Sequence, residues 1–400
     1  MPDLVQSAAP AGEQPVTAPS APNRLGYRPG LDGVRGLAIL LVMVHHAGIT
    51  ALLGGHVGVT VFFTLSGFLI TTLLLEERQL TGRIDLAAFY LRRAARLLPA
   101  LVVVLAVATV STLVVLGRDG WSAIGWGAGS ALLYCSNIIG ILEPDVAHVQ
   151  IFGWAWSLSM EEQFYVVWPS LIVAAFLLRR RPLVVLSAVA AVLTVLSVAE
   201  KLSMGTPQGW NGHLYLGPDT RGDALLVGCL LGLALHARAG RRAGSGTGRL
   251  RPLVAGVAGV VGLVLLAGVV HEGLVGDART YHYGLPATAL ATVGLVLAVL
   301  DAPRSPVARL LALRPLVRAG QVSYGLYLWN FPLLWFWEHH RGAPITHREA
   351  VVWFVATYVV AELSYRLVEQ PVIERNRAHL RARRERRAGR QPLAPAAQPA

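Results

Sequence analysis

"LDGVRGLAILLVMVHHAG", residues 31–48, has the apolar content of a membrane helix yet carries Asp32, Arg35, His45 and His46. On an α-helix at about 100° per residue, Arg35 and His46, eleven residues apart, project from nearly one azimuth, and Asp32 lies near the same stripe. At about 1.5 Å per residue the axial separation is roughly 16 Å, half the thickness of a bilayer core. Ionisable groups at that depth are costly and normally face a bundle interior or a wet cavity. Two readings stand. Either Arg35 snorkels and His46 merely hydrogen-bonds a neighbour, or the aligned pair lines a functional path, which the alignment favours. His45 points roughly 100° off the stripe.

Composition extends the membrane reading to the whole chain. Of 400 residues, 54% are hydrophobic and 14% charged, with a mean hydropathy of +0.52, which is the profile of a polytopic membrane protein. Thirty-five cations against 23 acids give a net charge of +12, and all but one of the cations, Lys201, are Arg. In a soluble protein that balance would suggest nucleic acid. Here the cations cluster between apolar segments, as in cytoplasmic loops, and no nucleic-acid partner is expected. Cys135 and Cys229 both lie in apolar surroundings, so buried inert thiols are expected rather than a disulfide framework or a metal site. Residues 1–30 are rich in Ala, Pro, Ser and Gln and lack the apolar core of a cleavable signal peptide. They are expected to be a disordered cytoplasmic tail, as are residues 375–400, basic and then low in complexity.

Apolar windows of about 20 residues, enough to cross the hydrocarbon region, occur near 31–53, 57–76, 97–117, 121–142, 154–178, 182–199, 214–236, 252–270, 284–301, 321–340 and 349–370. Arg clusters at 78–96, 179–181, 238–251, 304–318 and 375–390 all fall in the cytoplasm only if one early window does not span. The Gly- and Ser-rich 121–142, interrupted by Asn137, is the weakest and is expected to be re-entrant or surface-lying. The expected fold is therefore an all-α polytopic bundle over 31–374, with about ten transmembrane helices and both termini cytoplasmic.

Further charged sets punctuate this frame. "WAWSLSMEEQFYVVWPSL", 154–171, puts Glu161 and Glu162 at a depth comparable to His46, with side chains about 100° apart. One of the two faces His46, unless both mark a wet helix mouth. "LGPDTRGDALLVGCLLG", 216–232, brings Asp219, Arg221 and Asp223 to another entry, as internal ion pairs or as a grip on a polar substrate. In "DLAAFYLRRAARLLPA", 85–100, Arg92 and Arg96 share a helical face suited to phosphate oxygens, with Arg93 beside them. Anionic-lipid contact is the commoner use of such a cluster.

In joint order these stretches resemble the acyltransferase-3 family of bacterial integral membrane O-acyltransferases. The likeness runs through "LDGVRGLAILLVMVHH", "GGHVGVTVFFTLSGFLIT" at 54–71, "FYLRRAARLLPA" at 89–100 and "WSLSMEEQFYVVWP" at 156–169. It continues in "RGDALLVGCLLG" at 221–232, "SYGLYLWNFPLLW" at 323–335 and "SYRLVEQPVIE" at 364–374. At Asn330 the chain departs from the family, which commonly has His there.

The resemblance implies transfer of an acyl group, usually acetyl from acetyl-CoA, onto a hydroxyl of a sugar-containing acceptor such as an envelope glycan, a glycolipid or a glycosylated natural product. A stand-alone form without a fused hydrolase domain is expected, in the bacterial plasma membrane and in contact with membrane lipid. Acyl transfer to an alcohol needs a base for the hydroxyl proton, a task suited to neutral imidazole. His46 is assigned that role, oriented by Glu161 or Glu162, with a transient acyl-His as the other route. Arg35 together with Arg92, Arg93 and Arg96 is expected to hold the acyl-CoA donor. Asp32, Arg221, Asp223 and Asn330 are expected to meet the acceptor. A glycoconjugate transporter or flippase, with the same residues as a proton relay, is the competing class.

Overall fold

The computed structural model describes residues 25–117, 121–143, 150–178, 180–204, 211–240, 250–273 and 275–388. Residues 1–24 and 389–400 of the expected tails lie outside these. Among the described residues there are helices and no strands. Helix α1 (Pro29–His46) starts on a proline at its first position, with Asp32 in its first turn, and ends before Gly48 in the left-handed region. It is followed by α2 (Gly58–Thr81), α3 (Leu86–Leu116), α4 (Trp121–Leu132), α5 (Ser136–Leu142), α6 (Ala155–Leu177), α7 (Pro182–Ser203) and the short α8 (Gly212–Leu216). The chain continues with α9 (Pro218–Gly240), α10 (Leu250–Glu272), α11 (Leu285–Asp301), α12 (Pro306–Leu311), α13 (Arg314–Gln321), α14 (Ser323–Arg341), α15 (His347–Ser364) and α16 (Gln370–Ala388).

Seven helical stretches among the described residues are long and apolar enough to cross a membrane, containing α2, α3, α7, α9, α10, α11 and α15. The other three expected spans are α1, α6 and α14, of 18, 23 and 19 residues. Each is long enough but diluted by polar side chains: Arg35 and His46 in α1, Glu161 and Glu162 in α6, and Asn330 together with Glu338, His339 and His340 in α14. The window 121–142 does not form one span. It breaks at Leu133–Cys135, where Tyr134 takes a positive φ of 53°, into helices of 12 and 7 residues, neither able to cross about 30 Å. The basic segment expected to be disordered from residue 375 is instead helical as far as Ala388, continuing α15 through a π-helical turn at Tyr365–Glu369.

Burial separates a central layer from a lipid-facing one. In the most apolar window of Gly54–Thr81, 72% of residues are buried inside the protein, against 17% for Pro182–Ser203 and 28% for Leu250–Glu272. The outward residues of α7 and α10, among them Val184, Val192, Val195, Leu253, Val257 and Val264, are exposed and apolar, as a hydrocarbon solvent requires.

The central helices approach closely through small residues. α2 packs on α9, and a Cβ on Gly67 would strike the Leu225 carbonyl oxygen, while one on Gly228 would strike that of Thr64. At one end of the bundle Asp301 accepts from Arg238 at 2.8 Å and pairs with Arg251, tying α9, α10 and α11 together.

Candidate active site in the helical bundle

Two adjoining cavities lie where α1, α2, α6 and α14 meet. The larger, about 470 Å³, is walled by His45, His46 and His56 on one side and by Trp126, Trp154, Trp156, Tyr215 and Phe331 on the others. The smaller, about 60 Å³, is a slot lined by Arg35, Phe62, Phe63, Glu161, Ser323 and Tyr324. The Arg35 and His46 stripe thus serves both, one group in each cavity.

The surroundings fix the state of His46. Asn330, fully buried on α14, donates both amide hydrogens to backbone carbonyls, Nδ2 lying 2.8 Å from Leu326 O and 2.7 Å from Tyr327 O. Turning the amide round would set its oxygen against two carbonyl oxygens, so Oδ1 is the atom that faces His46 Nδ1 at 2.6 Å. As Oδ1 can only accept, Nδ1 carries the imidazole proton and Nε2 keeps its lone pair. Phe331 holds the ring edge-on, with centroids 5.0 Å apart, and Trp353 anchors the Asn330 backbone by donating to its carbonyl at 3.1 Å.

This corrects the expected partner. Neither Glu161 nor Glu162 orients His46: Glu162 pairs with Arg93 at 2.6 Å, and Glu161 accepts from Ser66 at 3.0 Å and lies 3.8 Å from Arg93. Spacing along one helix placed these acids at a suitable depth but could not say which neighbour they face. Asn330 in turn does not meet an acceptor, since it lines neither cavity and its polar atoms are all engaged.

Arg35 hydrogen-bonds Ser323 Oγ at 3.2 Å and lies over the Phe62 ring. Arg93 is claimed by the two glutamates, with its guanidinium 3.3 Å from the centre of the Tyr165 ring, so it is not among the groups open to a donor. Arg92 makes a 3.5 Å contact with Glu77, and Arg96 is exposed.

The expected acceptor residues fare differently again. Asp223 is locked to Lys201 at 2.5 Å in a buried pair, and Asp219 pairs with His213 at 2.8 Å. Arg221, only 2% exposed, gives one hydrogen bond to Thr60 at 3.1 Å and sits against the rings of Phe63, Trp156 and Tyr215. It stands behind the aromatic wall of the larger cavity rather than in it. Asp32 sits beside Tyr27 in the first turn of α1 and lines neither cavity. Of the two thiols, Cys229 is buried as expected and Cys135 is partly exposed.

The sequence reading missed Ser323 and Tyr327. With Asn330 they stand at i, i+4 and i+7 of α14, one helical face, a spacing legible in "SYGLYLWN". It also missed Ser157, whose hydroxyl pairs with that of Tyr327.

A bundle of membrane helices holding an imidazole of fixed tautomer at a cavity, with a guanidinium in an adjoining slot, defines a membrane-embedded site equipped for proton transfer beside an anionic or carbonyl group. The family is shown by comparison: residues 28–364 match the family Acyl_transf_3, described as "Acyltransferase domain", and the chain belongs to it. Among curated proteins, O-acetyltransferase OatA of Staphylococcus aureus is 31% identical over 360 residues, covering 86% of this chain and 57% of its own. Peptidoglycan O-acetyltransferase OatA of Listeria monocytogenes is 29% identical over 355 residues, covering 86% and 56%. The chain spans little more than half the length of these relatives. No solved structure matches it.

Proposed function

We propose that the protein transfers an acetyl or other acyl group from acyl-CoA to a hydroxyl of a sugar-containing acceptor. His46, held by Asn330 at the cavity wall, is the observation that carries this reading. Its Nε2 takes the proton of the acceptor hydroxyl as the oxygen attacks the thioester carbonyl, and returns it to the sulfur as the C–S bond breaks. The aromatic walls of the larger cavity suit the faces of sugar rings, and the S. aureus and Listeria relatives, named as O-acetyltransferases, support acetyl as the group moved.

In this reading Arg35 stabilises charge on the donor end and Arg92 and Arg96 supply cations for the nucleotide phosphates, a role supported by Arg35 lining the slot and by the exposure of Arg96. The Arg-rich connections support an orientation with both termini in the cytoplasm of a bacterial plasma membrane. In that orientation the Arg35 slot, nearer the start of α1, lies on the cytoplasmic side of the His46 cavity.

Purified protein given acetyl-labelled acetyl-CoA and a soluble glycan tests the reaction. Free CoA together with a labelled glycan ester is expected. Vectorial movement of a glycoconjugate with no donor consumption would support a transporter instead.

A further inference from the structure

Among the described residues the two cavities share only two lining residues, Val59 on α2 and Tyr327 on α14. Val59 offers no polar group, so Tyr327 is the polar member of the shared pair. The Tyr327 hydroxyl donates to the Trp154 carbonyl at 2.8 Å and pairs with Ser157, so it is pinned to the N-terminal turn of α6. Its own carbonyl accepts from Asn330 at 2.7 Å, which ties its backbone to the residue that sets the His46 tautomer. A ring fixed at both ends between two cavities is a wall with a defined position.

We infer that Tyr327 is a specificity-determining residue: pinned to Ser157 and Trp154, its ring partitions the donor slot from the acceptor cavity and so decides that an alcohol, not water, receives the acyl group. The inference rests on the acyl-transfer reading above. The rejected side reaction is hydrolysis, in which a water oxygen bonds to the thioester carbonyl carbon and the C–S bond breaks. A carboxylic acid leaves and the CoA sulfur takes a proton. His46 would serve water as readily as a sugar hydroxyl, because general-base catalysis does not distinguish two O–H groups of similar acidity. Discrimination must come from what reaches the carbonyl, and exclusion of water is what closed active sites achieve. Removing the ring joins the two spaces at the thioester. Removing the pins leaves the wall in place but loose.

The experiment uses the full chain in lipid nanodiscs with acetyl-labelled acetyl-CoA and a chitooligosaccharide. Free CoA, labelled acetate and labelled glycan ester are counted separately. Tyr327→Ala is expected to raise the ratio of acetate to ester by about tenfold or more while donor consumption persists. Tyr327→Phe, which keeps the ring and loses only its pinning hydroxyl, should raise it less. Val59→Ala opens the same wall from α2 and gives an independent rise if Tyr327→Ala does not fold. An unchanged ratio in folded Tyr327→Ala and Val59→Ala, or loss of acetate and ester together, overturns the partition role while the transfer reading stands. A wild-type protein that consumes no acetyl-CoA contradicts the transfer reading itself, and the partition falls with it.

Discussion

His46 Nδ1 lies 2.6 Å from Asn330 Oδ1, and the Asn330 amide nitrogen is held by the carbonyls of Leu326 and Tyr327. A neutral amide therefore does here what a carboxylate does in many catalytic dyads. It selects the tautomer and aims the ring without adding a negative charge to stabilise the imidazolium.

Asn330→Ala frees the ring to rotate and lose its tautomer, and is expected to lower kcat by about 10–100-fold with the acceptor KM little changed. Asn330→Asp should not rescue it, because one carboxylate oxygen would face two backbone carbonyl oxygens in a fully buried site. Steady-state kinetics, with thermal stability in detergent measured beside them, check both outcomes. Asn330→Asp is expected to melt lower than Asn330→Ala.

The Lys201–Asp223 pair predicts a stability effect with its own signature. Both side chains are buried, so Lys201→Met strands the Asp223 carboxylate and is expected to cost about 3–5 kcal/mol. The double change Lys201→Met with Asp223→Leu should recover most of that loss, since neither charge then remains to be compensated. A double-mutant cycle on denaturant or thermal unfolding in detergent measures it.

Arg93 and Arg96 should separate, although both come from one Arg-rich run. Arg96 is exposed, and Arg96→Ala is expected to raise the KM for acyl-CoA by about tenfold with kcat nearly constant, as for loss of uniform binding. Arg93→Ala removes the partner of Glu162 and Glu161 and should lower the melting temperature and the folded yield first. Donor titrations on folded protein, compared at equal concentration, distinguish the two.

Much of this architecture was legible in the residues, and the losses share a cause. The long apolar periods of α2, α7, α10 and α11 needed no tertiary information, because a membrane helix is apolar along its length whether it faces lipid or, as α2 does, its neighbours. The weakness of 121–142 as a span was also local: its Gly, Ser and Asn137 fall in two short helices on either side of the break at Leu133–Cys135. The Arg35 and His46 stripe was readable because one helix fixes both azimuths. Partner choice was not, because it depends on how helices rotate against one another. Glu161 and Glu162 stood at a suitable depth but turn toward Arg93 on α3, and Asp223 turns toward Lys201 on α7. Asn330, 284 residues from His46, had no local signal naming its partner.

The most direct test compares His46→Ala with His45→Ala at matched abundance in the membrane, following ester formation from labelled acetyl-CoA. Both residues line the cavity, and His46 is the one that Asn330 faces along the Arg35 stripe. The base role of His46 predicts a loss of about 100-fold or more in His46→Ala and a much smaller one in His45→Ala. Equal losses, or a loss confined to His45→Ala, would contradict it.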